Sequence, residues 1–128
     1  MNTFVGVDIH KRFSQVHARS QEGTRIAQGR LEHDDLEGIR EFFGSLPGEV
    51  HVALEATMGW MWLADELEPL GCKLHLTHQK KAKAIAESRL KTDSVDAETL
   101  CQFLRTGFLP EAYLAPPRGS TLPQLPKR

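Results

Sequence analysis

Four acidic residues stand where an acid is costly or where two acids share a face. Asp8 follows Val5 and Val7 and precedes Ile9, near the end of an alternating apolar run. Glu55 closes the nearly continuous apolar run at 50–54. A charge in such a place needs a partner or a metal. If these two runs are neighbouring parallel strands, both side chains emerge at one carboxyl edge, where open α/β sheets bind ligands. Asp93 and Asp96 are spaced i, i+3. On a helix that spacing puts their Cβ atoms about 5–6 Å apart on one face. Four carboxylates brought together repel, and Mg2+, with Mn2+ as a substitute, supplies the compensating charge for hard oxygen ligands. Two such ions about 3.5–4 Å apart activate a nucleophile and stabilise a leaving oxygen in phosphodiester chemistry. Each acid also has an ordinary reading. Asp93 caps a helix with Asp96 in its first turn. Asp8 is a turn residue paired with Lys11 or Arg12. Glu55 caps the helix at Trp60 or pairs with a surface base.

The acids stand beside a basic segment. Residues 78–91 hold Lys80, Lys81, Lys83, Arg89 and Lys91 against the single acid Glu87. The formal net charge of -1 therefore hides an acidic body and a basic stretch that leads into Asp93 and Asp96. Such a stretch tracks a phosphate backbone without reading sequence; the ordinary alternative is a solvated helix face. Lys11 and Arg12 extend the same patch. His10 is a metal-adjacent group or a sheet-surface histidine.

The positioning elements follow from periodicity. Residues 3–9 alternate and are rich in β-branched side chains, which predicts a strand. Weaker strands are expected at 13–18 and 24–31, joined through Ser20-Gln21-Glu22-Gly23 as a hairpin. Leu36, Ile39, Phe43 and Leu46 recur at helical spacing, with Asp34 and Glu37 as a capping box and Pro47-Gly48 as the stop. A buried strand is expected at 50–54, a helix along Trp60, Leu63, Ala64 and Leu67, and a short strand at 72–76. Helices follow over about 79–89, on Ala82, Ile85 and Ala86, and over about 94–106, on Ala97, Leu100, Leu104 and Phe108. The order β-β-β-α-β-α-β-α-α predicts an α/β fold with a mixed sheet covered by helices. This is the order of the ribonuclease H-like fold. Residues 1–114 form the expected domain. Residues 115–128 hold four of the seven prolines and are expected to be extended or disordered.

Val5-Gly6-Val7-Asp8-Ile9-His10-Lys11 resembles the opening motif of the DEDD transposases, the insertion-sequence recombinases related to the Piv and MooV DNA invertases. Ala53-Leu54-Glu55-Ala56-Thr57 resembles their second motif, and Lys91-Thr92-Asp93-Ser94-Val95-Asp96-Ala97 their third, the most specific of the set. The similarity runs from about residue 3 to 117. The resemblance implies a RuvC-like amino-terminal domain in which Asp8, Glu55, Asp93 and Asp96 bind magnesium and act in DNA cleavage and strand exchange. It also implies DNA as substrate, a structured guide RNA, assembly into a homo-oligomer, and a second domain with a nucleophilic serine. The chain ends at Arg128, so a truncated or isolated domain is expected, with no role for Ser120 as that nucleophile. The alternative expectation is a non-catalytic remnant that binds nucleic acid through its basic segment.

Other classes find less support. No apolar run approaches the roughly 20 residues of a membrane span, and the first residues lack the pattern of a signal peptide. Cys72 and Cys101 form neither a CxxC pair nor a disulfide framework, so a reduced, cytoplasmic chain is expected. His75 and His78 lack a second ligand pair at zinc spacing. Trp60 belongs to a core stripe, and Trp62 faces base stacking, a protein contact or the core. An ATPase of the actin and sugar-kinase type shares this core, but His10-Lys11-Arg12 stands where its phosphate loop needs small residues.

Overall fold

The computed structural model describes residues 1–56, 59–90 and 95–111. Five strands form one sheet: β1 (Asn2–Ile9), β2 (Phe13–Ser20), β3 (Arg25–Glu32), β4 (Glu49–Glu55) and β5 (Lys73–Thr77). Their spatial order is β3-β2-β1-β4-β5. β1 pairs antiparallel with β2 and parallel with β4, and β4 pairs parallel with β5. The helices are α1 (Leu36–Gly44), α2 (Trp60–Leu67), α3 (Gln79–Ile85) and α4 (Ala97–Thr106); a π-helical turn over Ala86–Leu90 continues α3. The mixed sheet with flanking helices is the ribonuclease H-like, RuvC-like arrangement that the order of elements predicts.

Strand alternation divides the sheet into two faces. One face carries Val5, Val7, Val16, Ala18, Val50, Val52 and Leu54, and packs against Ile39 and Phe43 of α1 and Leu63 and Leu67 of α2. Burial of each large side chain there contributes about 1.5–3 kcal/mol. Trp60 and Trp62 both lie against this core, and Trp62 meets the His33 ring edge-on, so core packing is the outcome for both. The other face carries Phe4, Gly6, Asp8, Ala53 and Glu55. Leu100 and Leu104 of α4 close over it, against Phe4 and Ala53.

Gly6 lets α4 approach. A Cβ there would overlap the Ala97 carbonyl and stand 2.5 Å from the Cys101 amide nitrogen. The Cys101 thiol completes the contact, donating to the Phe4 carbonyl at 3.0 Å.

Three local expectations are corrected. Asp35, not Asp34, caps α1: a turn bonding Asp35 N to Glu32 O moves the helix start one residue on, and the Asp35 carboxylate accepts from Gly38 N at 3.0 Å. The last helix begins at Ala97, so Asp96 is its cap rather than a first-turn residue. Phe108 leaves the helical stripe, because Gly107 ends α4 in the left-handed region; the residue is 43% exposed, with the Arg89 guanidinium over its ring. The expected tail at 115–128 lies outside the described residues.

Candidate metal centre

The parallel register of β1 and β4 pairs Gly6 with Ala53 and Val7 with Leu54. One step further, at the carboxyl ends of both strands, come Asp8 and Glu55. Alternation sends both side chains to the α4 face. The consequence is electrostatic. Glu55 has its carboxyl pushed above the usual range, first by burial and then by the charge of Asp8. The Asp8 side chain is 27% exposed and accepts a hydrogen bond from His10 Nε2 at 3.0 Å. That bond makes His10 the neighbour of Asp8; among the described residues neither Lys11 nor Arg12 forms an ion pair with it. The cap of α2 is Gly59, with no side-chain cap bond, so Glu55 does not cap that helix.

Asp96 arrives from α4. Its Oδ1 accepts from Thr99 N at 2.9 Å, which leaves Oδ2 outside the cap. Asp8 and Asp96 line one open cavity of about 270 Å³, together with Gln15, His17, Gln28 and Glu98. Among the described residues no Lys or Arg forms an ion pair with Asp8, Glu55 or Asp96. Asp93 lies outside the described residues. Among those described, no three His, Cys, Asp or Glu side chains converge closely enough to hold an ion. The donor set is still one of hard oxygens, two of them adjacent and short of positive charge, which fits Mg2+ better than a soft ion.

A device absent from the sequence reading ties α4 to the sheet. Arg19 donates from Nε to His17 Nε2 at 2.9 Å, from Nη1 to the Gly23 carbonyl at 2.7 Å and from Nη2 to Glu98 at 3.0 Å. The β2–β3 register shifts between Ala18 and Arg19, and such irregularities re-aim side chains. One guanidinium thus joins β2, the hairpin turn and the first turn of α4, next to Asp96. Burial first, then the Arg19 charge, lowers the His17 pKa, which keeps its ring an acceptor for that bond. The available signal was alternation: Gln15, His17 and Arg19 fall on the Asp8 face once β2 pairs antiparallel with β1.

The basic residues divide. Lys80, Lys81 and Lys83 are exposed on α3, and Arg89 is exposed on the π-helical turn. Lys91 lies outside the described residues. Lys11 and Arg12 are exposed beyond β1. Lys11 lines a separate cavity with His33, Asp34, Trp62 and Glu66, on the α1–α2 side of the sheet.

The geometry defines a class first: a RuvC-like α/β domain with paired carboxylates at the carboxyl ends of its central parallel strands. The comparisons then give the family. The model of the IS110-type DEDD transposases, described as "Transposase", matches residues 5–125. The chain belongs to this family, whose members act on DNA. No curated protein matches it. Among solved structures, it is similar to the ethanolamine utilization protein EutJ from Carboxydothermus hydrogenoformans, with 19% identity and a TM-score of 0.41 over 66% of this chain. It spans 39% of that chain. Among the described residues no helix is long and apolar enough to cross a membrane.

Proposed function

We propose that this chain is the carboxylate-bearing RuvC-like domain of a DEDD transposase, acting in Mg2+-dependent cleavage and strand exchange of DNA. The observation that carries the reading is the pairing of Asp8 with Glu55 at one sheet edge, with Asp96 opening into the groove beside Asp8. Asp8, Glu55, Asp96 and, from the resemblance, Asp93 would hold the ion, and Mn2+ would substitute. When bound, the metal supplies a Lewis acid for a phosphodiester oxygen.

The chain's own residues do the rest. His10 holds one oxygen of Asp8 and leaves the other for the site. Arg19 holds the first turn of α4, and with it Asp96, against the sheet. Lys80, Lys81, Lys83 and Arg89, with Lys91, would engage phosphates and position the strand; Lys11 and Arg12 would make separate phosphate contacts, Lys11 from the α1–α2 side of the sheet. In this reading residues 1–114 are the unit that binds metal and DNA in the cytoplasm. The serine domain, a guide RNA and further copies of the chain complete the recombinase.

A second reading is a domain that binds nucleic acid without cleaving it. The exposed, like-charged face of α3 favours it, since that face needs no metal. Magnesium titration separates the two. Millimolar Mg2+ or Mn2+ is expected to raise the thermal midpoint of the wild-type chain and to leave Asp8→Ala unchanged. An equal response in both chains refutes the metal site. Oligonucleotide binding retained in Asp8→Ala, with no metal response in either chain, selects the second reading.

A further inference from the structure

The face of the sheet that carries Asp8 and Glu55 carries another group of polar side chains, on β4 and β5. Glu49, His51 and His75 stand there, and Glu111 joins them from the segment that follows α4. His51 Nδ1 lies 2.9 Å from His75 Nε2. The outer nitrogens meet carboxylates: His51 Nε2 is 3.3 Å from Glu49 and His75 Nδ1 is 3.0 Å from Glu111. Phe4 stacks on the His51 ring at 5.4 Å between centroids and restricts its rotation. The two imidazoles are 17% and 20% exposed, while both carboxylates reach solvent.

Two neutral rings carry one N–H hydrogen each, too few for the three contacts. An ionised carboxylate only accepts, so each outer contact uses the one hydrogen of a neutral imidazole. Two bare lone pairs then face each other at 2.9 Å. That arrangement needs a cation shared by the two nitrogens: one extra proton on the line between them, or a metal ion to one side of that line, since Zn–N bonds of about 2.0–2.1 Å do not fit within it. The outer shell is the one that metal-bound histidines have. A carboxylate on the second ring nitrogen fixes the tautomer and raises the basicity of the ligating nitrogen. Lys73 Nζ stands 3.4 Å from the other oxygen of Glu49, an ion pair that suits an accepting carboxylate.

We propose that His51 and His75 ligate a divalent transition ion of the zinc class, at a site separate from the oxygen-lined one. Imidazole nitrogen selects zinc, copper or nickel over magnesium. Among the described residues no third side chain joins the pair, so water fills the remaining positions and binding is reversible. The ion takes the place of the shared proton, which passes to buffer. It also pins the segment that follows α4. Glu111 pairs with Thr77 at the free edge of β5, and the Pro110 carbonyl accepts from Thr77 Oγ1 at 2.9 Å. An ion on His75 therefore fastens the segment after α4 to that edge. Sequence spacing conceals the site, because the ligands are separated by a helix and the chain reversal between two strands.

The test is calorimetric titration of the full chain with zinc at pH 7.5 in excess Mg2+, in two buffers of different ionisation enthalpy. One zinc per chain is expected, with a buffer-dependent heat that reports the released proton. His51→Ala and His75→Ala should each weaken binding at least tenfold, and Glu111→Gln by about tenfold through the outer shell. Asp8→Asn should leave it unchanged, which separates this site from the carboxylates. His51→Gln and His75→Gln stand in for any alanine variant that fails to fold by circular dichroism. No saturable binding in the wild type means a shared proton only and overturns the proposal, as does binding that survives in both histidine variants.

Discussion

Replacing Glu55 by Gln removes one of two facing charges and keeps the side chain's shape. Adjacent strands lie about 4.8 Å apart. At that separation two unit charges repel by about 0.9 kcal/mol in bulk water and about 3.5 kcal/mol near a protein surface. Glu55 is half-buried, and the hydrogen bond from His10 draws off part of the Asp8 charge. The lower part of the range applies, and about 1 kcal/mol is the expected gain for Glu55→Gln without metal. For a domain of this size that raises the thermal midpoint by roughly 4 °C.

The pH dependence has a definite sign. The folded chain holds the Glu55 proton more tightly than the unfolded chain, since burial and Asp8 raise its pKa. The cost of Glu55 is therefore absent in acid, grows as pH rises through its raised pKa, and is complete above it. Thermal unfolding in EDTA at pH 8 should find Glu55→Gln more stable than wild type. At pH 4 the difference should vanish. Saturating Mg2+ should shrink or reverse it, because only the wild type has the full carboxylate pair. A glutamine variant no more stable than wild type at pH 8, or an advantage that persists at pH 4, refutes the electrostatic reasoning.

Two further outcomes follow from the packing. Gly6→Ala forces α4 outward by about 1 Å, since its Cβ would stand 2.5 Å from the Cys101 amide nitrogen; overpacking of this kind costs about 3 kcal/mol. Both the urea midpoint and the magnesium response should fall, and an unchanged magnesium response would show that α4 contributes nothing to the site. Burial pushes the Cys72 and Cys101 thiols up to about 11. Neither should react with a thiol reagent at pH 8 in the folded chain, whereas both should react in urea; prompt labelling of Cys101 in the native state would mean that α4 opens readily from the sheet.

Much of this architecture is legible one residue at a time. Alternation in 3–9 and the apolar run at 50–54 mark the two central strands, because a strand's side chains repeat every two residues whatever surrounds them. Asp8 and Glu55 stand out for the same reason, as charges at the ends of apolar strands. The helix stripes on Ile39, Phe43, Leu63 and Leu67 are equally local, and so is the basic character of α3. The motifs around Asp8, Glu55 and Asp93 sufficed to suggest the family. Helix starts were less legible. Asp34 and Asp35 are equivalent caps by type, and only the turn from Glu32 selects the second.

Pairing across the chain is what local pattern cannot supply. The register that sets Asp8 beside Glu55 depends on strands more than forty residues apart, and so does the contact of Gly6 with α4. The Arg19 clamp needs an irregular register, a turn carbonyl and a helix terminus at once. His51 and His75 look unrelated in the sequence and meet only because β4 and β5 are parallel neighbours. Residue type and period determine which side chains seek burial or partners. Long-range backbone hydrogen bonding and close packing decide which partners they find, since both act through space rather than along the chain.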